Sequence, residues 1–363
     1  PPQGEWHKYA LLAQRPEQTQ RFEAQILRPG YGTYVHYGQT DQPGGKKGMF
    51  SFDRKVIDDA VKVIRERKLG GNSWVQYVGI LGPHDPYFLP KEFLDLYRIE
   101  DIKLPDSYAD RMADKPALYR RSRDRYDQLP EPEQREGLRH YLAYCTYVDA
   151  LFGEVLKAME ESGELDDTLV LYTSDHGDYA SDHGLWAKGL PCFRGAYHVP
   201  AVMRWPKGIR DPNRNVDAFV STADFAATFL DAAGVKIDRP LTGRSLLPFL
   251  RGEAAPSDWR DAIFTQSNGN ELYGIQRSVS TRKWKYVYNG FDYDELYDLE
   301  ADPGETRNLA SDPAHRDVIK QMCHRLWRFA FEHKDVAINE YILVALAPYG
   351  PAEAFRKTDK VQG

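Results

Sequence analysis

The stretch that most constrains this chain runs from Leu169 to Lys188, where an apolar run, Leu169-Val170-Leu171-Tyr172, empties into Thr173-Ser174-Asp175-His176-Gly177-Asp178. Four apolar or aromatic residues, bounded by Asp166-Asp167 and by an acidic turn, predict a buried parallel strand with polar groups at its carboxyl end. In open α/β sheets, ligands collect at that end. Asp175 and His176 are adjacent, so in extended chain their side chains diverge. A turn beginning at Asp175 is needed to bring a carboxylate oxygen and an imidazole nitrogen to one cation, and Gly177 is expected to permit it. A lone Asp-His-Gly is more often a plain turn with an exposed histidine. Here Asp182-His183-Gly184, Lys188 and a second strand pattern from Val199 to Pro206 follow within 30 residues or so, and polar loops held by a sheet are where function concentrates.

The same pattern occurs earlier in the chain. Trp74-Val75-Gln76-Tyr77-Val78-Gly79-Ile80-Leu81 reads as a strand, which places His84 of Gly82-Pro83-His84-Asp85 at a strand's carboxyl end, like Asp175. Before it, Val56, Ala60, Val61, Val63 and Ile64 fall on helical spacing, and that helix stops at Gly70-Gly71. Gln39 to Gly48 reads as an exposed loop, and residues 91 to 135 as an irregular, charged excursion. A long helix from about Glu133 to Ser162 follows, with Leu138, Leu142, Cys145, Val148, Leu151, Val155 and Met159 on one core face. After Gly252 the period changes. Ala262 to Thr265, Gly274 to Ser280, Trp284 to Tyr288 and Leu296-Tyr297 are short successive strands, which predicts an antiparallel sheet, with a helix from about Ala314 to Glu332 covering one face. The expected division is a large α/β domain over 1–252, a small C-terminal antiparallel sheet plus helix over 253–345, and a tail over 346–363.

Composition excludes several classes. Hydrophobic residues make up 42% and charged residues 28%, as in a soluble globular protein. A formal net charge of −6 argues against a general nucleic-acid role. The basic run from Tyr119 to Arg125 is interrupted by Asp124 and reads as a solvated helix face. No apolar run approaches the roughly 20 residues of a membrane helix. Three cysteines make no disulfide framework, so the compartment and the oligomeric state stay open.

The run from Thr173 to Pro206 resembles the second signature region of the sulfatase family, within the alkaline phosphatase superfamily. Further matches follow in the same chain order: Gly82-Pro83-His84-Asp85-Pro86-Tyr87, the helix from Asp149 to Gly163, Ser221 to Asp224, Leu230 to Gly234, Gly243 to Pro248, Glu295 to Leu299 and Asp302-Pro303-Gly304-Glu305. The resemblance implies an alkaline-phosphatase-like α/β fold, a mostly parallel sheet sandwiched by helices, with a smaller C-terminal α+β domain. It also implies hydrolysis of a sulfuric ester, a small-molecule or carbohydrate sulfate. By that resemblance Asp175 and His176 match the pair that ligates a divalent cation, Lys188 the lysine on the sulfate oxygens, and His84 the histidine on the leaving-group side. An all-oxygen shell favours calcium, with magnesium possible, while His176 keeps manganese or zinc open. His183 is open between supporting or contacting the anion site and lying on the surface. Arg194, in Phe193-Arg194-Gly195 where many sulfatases have a glutamate, either pairs with a substrate carboxylate or sulfate or forms a surface salt bridge.

The departures carry equal weight. Sulfatases carry a Cys-x-Pro-x-Arg or Ser-x-Pro-x-Arg motif, whose first residue becomes the formylglycine nucleophile, and an Asp-Asp pair near the N-terminus. The motif does not occur here, neither Asp58-Asp59 nor Asp166-Asp167 stands in the place of that pair, and none of Cys145, Cys192 and Cys323 is followed by Pro two residues later. The expectation is a sulfatase without its first hundred or so residues, which were removed, lie outside this sequence, are supplied by another chain, or are missing from the gene. The last case would make a pseudoenzyme. A phosphonate or phosphate diester hydrolase of the same superfamily is the alternative enzyme reading, and a periplasmic or secreted location is the expectation from resemblance.

Overall fold

A computed structural model of the chain describes residues 37–40, 49–67, 72–85, 87–127, 129–236, 238–269 and 273–336. The expected tail over 346–363, the loop over 41–48 and the Gly70-Gly71 stop lie outside the described residues. The chain divides into two compact units, each assembled from separate stretches: 1–109, 121–166 and 178–187 in the first, and 110–120, 167–177 and 188–363 in the second. Residues 188–252 group with the C-terminal sheet, because buried polar contacts such as Lys285 with Cys192 tie them to it.

In the first unit, β1 (Tyr37–Thr40) and β2 (Tyr87–Pro90) pair in parallel, Tyr37 opposite Tyr87 and Thr40 opposite Pro90, with helix α1 (Met49–Glu66) between them in the chain. Gln39 and Thr40, expected in a loop, thus belong to a strand. Helix α1 buries Ile57, Ala60 and Ile64, one stripe at intervals of three and four. Helix α2 (Ala117–Tyr126), whose first four residues belong to the second unit, follows the irregular excursion, and helix α3 (Glu131–Glu161) starts with Pro132 in its first turn. Its core face holds Leu138, Val148, Leu151, Val155 and Met159 as expected; Leu142 and Cys145 are only half-buried, and Tyr144, Tyr147 and His140 take the buried places beside them.

Residues 72–80 form no strand. Val75 is 90% and Tyr77 92% exposed. An apolar run becomes a strand only through a partner's ladder hydrogen bonds, and this segment has no such partner among the described residues.

In the second unit, β3 (Val170–Thr173) pairs with β4 (Ala201–Arg204), Val170 opposite Arg204 and Thr173 opposite Ala201. Its pairing among the described residues is antiparallel, and β3 is half-buried with Thr173 exposed, where a buried parallel strand is expected. A four-residue apolar run carries no information on partner direction, and here the chain turns back on itself through the polar loop. Helix α4 (Asp224–Ala232) comes next. The antiparallel C-terminal sheet is present as expected, ordered β5 (Ile263–Gly269), β6 (Tyr273–Ser280), β7 (Trp284–Asn289), β8 (Glu295–Asp298). Helix α5 (Arg316–Glu332) lays Ile319, Met322, Cys323, Leu326 and Trp327 on Val279, Tyr286, Tyr288 and Leu296, with Trp327 edge-on to Tyr288 at 4.9 Å.

That sheet carries a titrating carboxyl. Burial pushes Asp294 up to about 7, against opposing hydrogen bonds from the Tyr286 hydroxyl at 2.6 Å and the Asn289 amide at 3.0 Å. A raised folded-state value means the folded protein holds the proton while the unfolded chain has released it. Stability from this group is therefore full below about pH 4 and is lost as pH rises to about 7. One pKa unit corresponds to about 1.4 kcal/mol, and partial solvent access screens the group, so the expected change is on the order of 2 kcal/mol. Urea unfolding of wild type and Asp294→Asn at pH 4 and pH 7 measures it. A wild-type minus variant difference that is equal at the two pH values rules the shift out.

Candidate functional site

His84 is held from α1. The Asp53 carboxylate, fully buried, accepts the Leu81 amide at 2.8 Å, the Gly82 amide at 2.9 Å and the Tyr144 hydroxyl at 3.2 Å, and the His84 amide closes the turn onto the Leu81 carbonyl at 2.9 Å. Burial raises the Asp53 carboxyl above its ordinary value, and those hydrogen bonds oppose the rise. Sequence reasoning missed Asp53. The available signal was a carboxylate on the buried stripe of an amphipathic helix, four residues before Ile57. A side chain on Gly82 would sit 2.7 Å from the Tyr144 ring and 2.9 Å from Asp53 Oδ2, so the turn needs glycine there. His84 Nδ1 lies 2.6 Å from the Asp85 carbonyl and 3.1 Å from Asp85 Oδ1. Both are acceptors, so Nδ1 carries hydrogen and Nε2 is the atom for proton exchange.

Residues 178–187 of the same unit form a loop crowded with left-handed backbone: Ala180, Ser181, His183, Gly184 and Ala187 all have positive φ. Backbone strain of this kind persists only where surrounding contacts over-determine it. They do. Asp178 accepts the Tyr87 hydroxyl of β2 at 2.7 Å and the Ala180 and Ala187 amides at 2.8 and 3.0 Å, while Trp186 Nε1 donates to Gln134 Oε1 at 2.6 Å. Arg123 donates to the His183 carbonyl at 2.5 Å, and its guanidinium fills the space a side chain on Gly184 would need. Arg123 is buried and Arg120 donates to the Met112, Ala113 and Lys115 carbonyls, so the basic run is not simply the solvated face expected. His183 is fully buried, 3.9 Å from Asp182. That burial overturns a surface place for the ring.

In the second unit, β3 delivers Asp175 and His176 together. Asp175 Oδ1 accepts the His176 amide at 2.9 Å, Ser174 Oγ donates to the His176 carbonyl at 2.7 Å, and Asp175 Oδ2 stands 3.8 Å from His176 Nε2. Asp175 is 87% exposed. His176 Nδ1 lies 2.8 Å from the Gly177 carbonyl, which only accepts, so Nδ1 carries the hydrogen and Nε2 the lone pair. Gly177 serves a different purpose from the one expected. Its φ is not left-handed; a Cβ would fall 2.0 Å from the Gly195 carbonyl oxygen, on the segment whose Ala196 carbonyl accepts the Gly177 amide at 2.8 Å. Close backbone approach, not turn freedom, excludes a side chain.

Lys188, half-buried, lies between Ala187 and Gly189, both left-handed. Arg194 is exposed, and its Nε donates to His198 Nδ1 at 3.1 Å. Burial and then the Arg194 charge lower the His198 pKa, consistent with an accepting imidazole. The side chain has no carboxylate partner among the described residues, so the surface salt bridge is not formed there. The structure thus brings Asp175 to His176 and Arg194 to His198 in the second unit, where Lys188 also lies, while His84 and His183 lie in the first. Burial pushes the thiols up, Cys145 to about 11 and Cys192 and Cys323 to about 12, so none is a thiolate nucleophile near neutral pH.

One carboxylate oxygen and one imidazole nitrogen of fixed tautomer fit part of a divalent-cation shell. Among the described residues no group of three or more His, Cys, Asp or Glu side chains completes one.

The comparisons with known proteins agree with these features. The family described as Sulfatase matches residues 4–235, and the family described as N-sulphoglucosamine sulphohydrolase, C-terminal, matches residues 181–332. The chain belongs to the sulfatase family. It is 33% identical to the choline-sulfatase of Rhizobium meliloti over 70% of this chain and 52% of that protein. It is 32% identical to the N-acetylglucosamine-6-O-sulfatase of Bacteroides thetaiotaomicron over 66% of this chain and 44% of that protein. The chain therefore spans about half the length of these curated relatives. The phosphonate monoester hydrolase of Agrobacterium radiobacter shares the fold, with a TM-score of 0.70 at 24% identity over 91% of this chain and 69% of that one. The expected fold class stands, α/β of the alkaline-phosphatase-like kind with a C-terminal antiparallel sheet. Sulfatases generally use a divalent cation. Among the described residues no helix is long and apolar enough to cross a membrane.

Proposed function

We infer that this chain is part of a sulfuric ester hydrolase that cleaves a sulfate monoester, with a carbohydrate sulfate as the substrate class. The observation that carries the reading is the turn after β3, where the Gly177 carbonyl fixes the His176 tautomer and Nε2 faces the Asp175 carboxylate. Asp175 and His176 would hold a divalent cation, calcium by preference, with manganese or zinc as the alternatives that an imidazole ligand keeps open and magnesium as a further oxygen-preferring one. Bound there, the cation would polarise the sulfate group and neutralise its charge. Lys188 would hold the anionic oxygens, and His84, fixed through Nδ1 by Asp85, would pass a proton from Nε2 to the leaving oxygen. The sugar assignment rests on the relative named for N-acetylglucosamine and on Arg194, an exposed cation suited to an anionic substituent.

The test uses the full natural polypeptide. Elemental analysis of wild type should show about one equivalent of divalent metal, and Asp175→Ala should lose it together with turnover of 4-nitrophenyl sulfate. Unchanged metal in that variant would remove the cation assignment. Faster turnover of phenyl phosphonate than of the aryl sulfate would transfer the chain to the phosphonate hydrolase reading, which the shared fold also accommodates.

A further inference from the structure

The C-terminal sheet lies outside the chemistry described so far, yet it holds a buried ion pair that reaches into the segment after Lys188. Lys285 on β7 and Glu305, in the turn after β8, are only 8% and 2% exposed and in direct contact. Each also grips the backbone of one short stretch. Lys285 Nζ donates to the Cys192 carbonyl at 2.5 Å, and the second oxygen of Glu305 accepts the Arg194 amide at 2.7 Å. The carbonyl of residue 192 and the amide of residue 194 are thus held from the same sheet, at the entrance of the helical turn Arg194–Tyr197. Phe193 between them is buried edge-on against Tyr119 and Tyr297, and the Tyr119 hydroxyl donates to buried Glu295 at 2.7 Å. Burial alone would lower the Lys285 pKa, but the Glu305 charge overcomes it and the ammonium is held well above its ordinary value.

A buried ion pair is a poor way to gain stability, because its desolvation offsets its attraction; its directional bonds fix geometry. We propose that Glu305, with Lys285, is a positioning residue that sets the Cys192–Arg194 backbone and through it Lys188, four residues upstream, and the Arg194–His198 pair downstream. This rests on the function inferred above. Asp302-Pro303-Gly304-Glu305, quoted in the sequence only as a family landmark, then has a physical task. The Asp302 carboxylate accepts the Arg307 amide at 2.8 Å and the Thr306 hydroxyl at 2.9 Å, which shapes the turn that presents Glu305.

The experiment measures two things on the full natural polypeptide carrying Glu305→Gln. Hydrogen exchange should rise over residues 188–198 and stay unchanged over 284–298. Turnover of 4-nitrophenyl sulfate should fall at least tenfold in kcat in the wild-type background, but less than twofold when Lys188→Ala is already present, because the clamp acts through that lysine. Unchanged exchange over 188–198 overturns the proposal, and so does the same factor in both backgrounds, which marks a general structural effect. Should the single variant not fold, Lys285→Met combined with Glu305→Gln removes both charges and leaves no uncompensated buried ion, with the same expectations. If wild type shows no turnover of the aryl sulfate, the function reading falls on its own, and the exchange result still decides whether Glu305 sets the segment.

Discussion

Replacing Lys188 by alanine in the full natural polypeptide lowers kcat for 4-nitrophenyl sulfate on the order of 10²–10³-fold, with a smaller change in KM. A transferring sulfuryl group concentrates negative charge on its equatorial oxygens, and a fixed ammonium stabilises that charge without reorganising at the moment of reaction. The backbone around Lys188 is arranged for such fixity. Ala187, immediately before it, gives its amide to the buried Asp178 carboxylate at 3.0 Å, and Ala187 and Gly189 both hold left-handed conformations that a mobile loop would not maintain. The loss should appear in kcat because the interaction strengthens as charge develops. Lys188→Arg should recover only part of the rate, since a planar guanidinium presents its donors in a fork and not as a point charge. Steady-state kinetics of the two variants checks this. A change confined to KM would reduce Lys188 to a binding contact, and wild-type kinetics would place it outside the site.

What the sequence disclosed divides along physical lines. Helices α1, α3 and α5 and the C-terminal strands were legible because each repeats its apolar period over enough residues to fix both type and face. Trp74 to Leu81 was misread because an apolar run describes a strand's surface and not its partner, and among the described residues no ladder forms with it. The direction of β3 was lost for the same reason: Val170 to Thr173 pairs equally well with a strand of either polarity. Asp175, His176, Lys188 and His84 could be singled out because their chemistry is local and their neighbours in sequence mark the turn. The groups that position them could not. Asp53 reaches Leu81 and Gly82 across nearly thirty residues, Tyr87 reaches Asp178 across 91, and Glu305 reaches Arg194 across 111. Supporting interactions of that range leave no period or spacing in the chain. They leave only an anomaly, such as a carboxylate on an apolar stripe. Gly177 shows the converse limit: the residue was right and the reason wrong, because close approach by the Gly195 backbone is invisible until the two segments are seen together.

His84→Ala should divide substrates by their leaving groups. The ring is oriented by Asp85, whose carbonyl and carboxylate both accept from Nδ1, so Nε2 is the atom that would meet the ester oxygen. The turn that carries it is pinned by Asp53, which makes its position a property of helix α1 and not of a loose loop. A general acid is worth most where the leaving oxygen is most basic. An alkoxide is expelled only with its proton, whereas 4-nitrophenolate departs unaided. In the full natural polypeptide the variant is therefore expected to lose on the order of 10³–10⁴-fold in kcat on an alkyl sulfate and about 10²-fold or less on 4-nitrophenyl sulfate. The two ratios come from one preparation of each protein, so differences in folding or metal content cancel between substrates. Equal deficits on both would mean that the histidine only binds the anion, since a side chain that holds the sulfuryl oxygens alone is blind to what departs from the sulfur. Near-wild-type rates on both would place His84 outside the reacting centre.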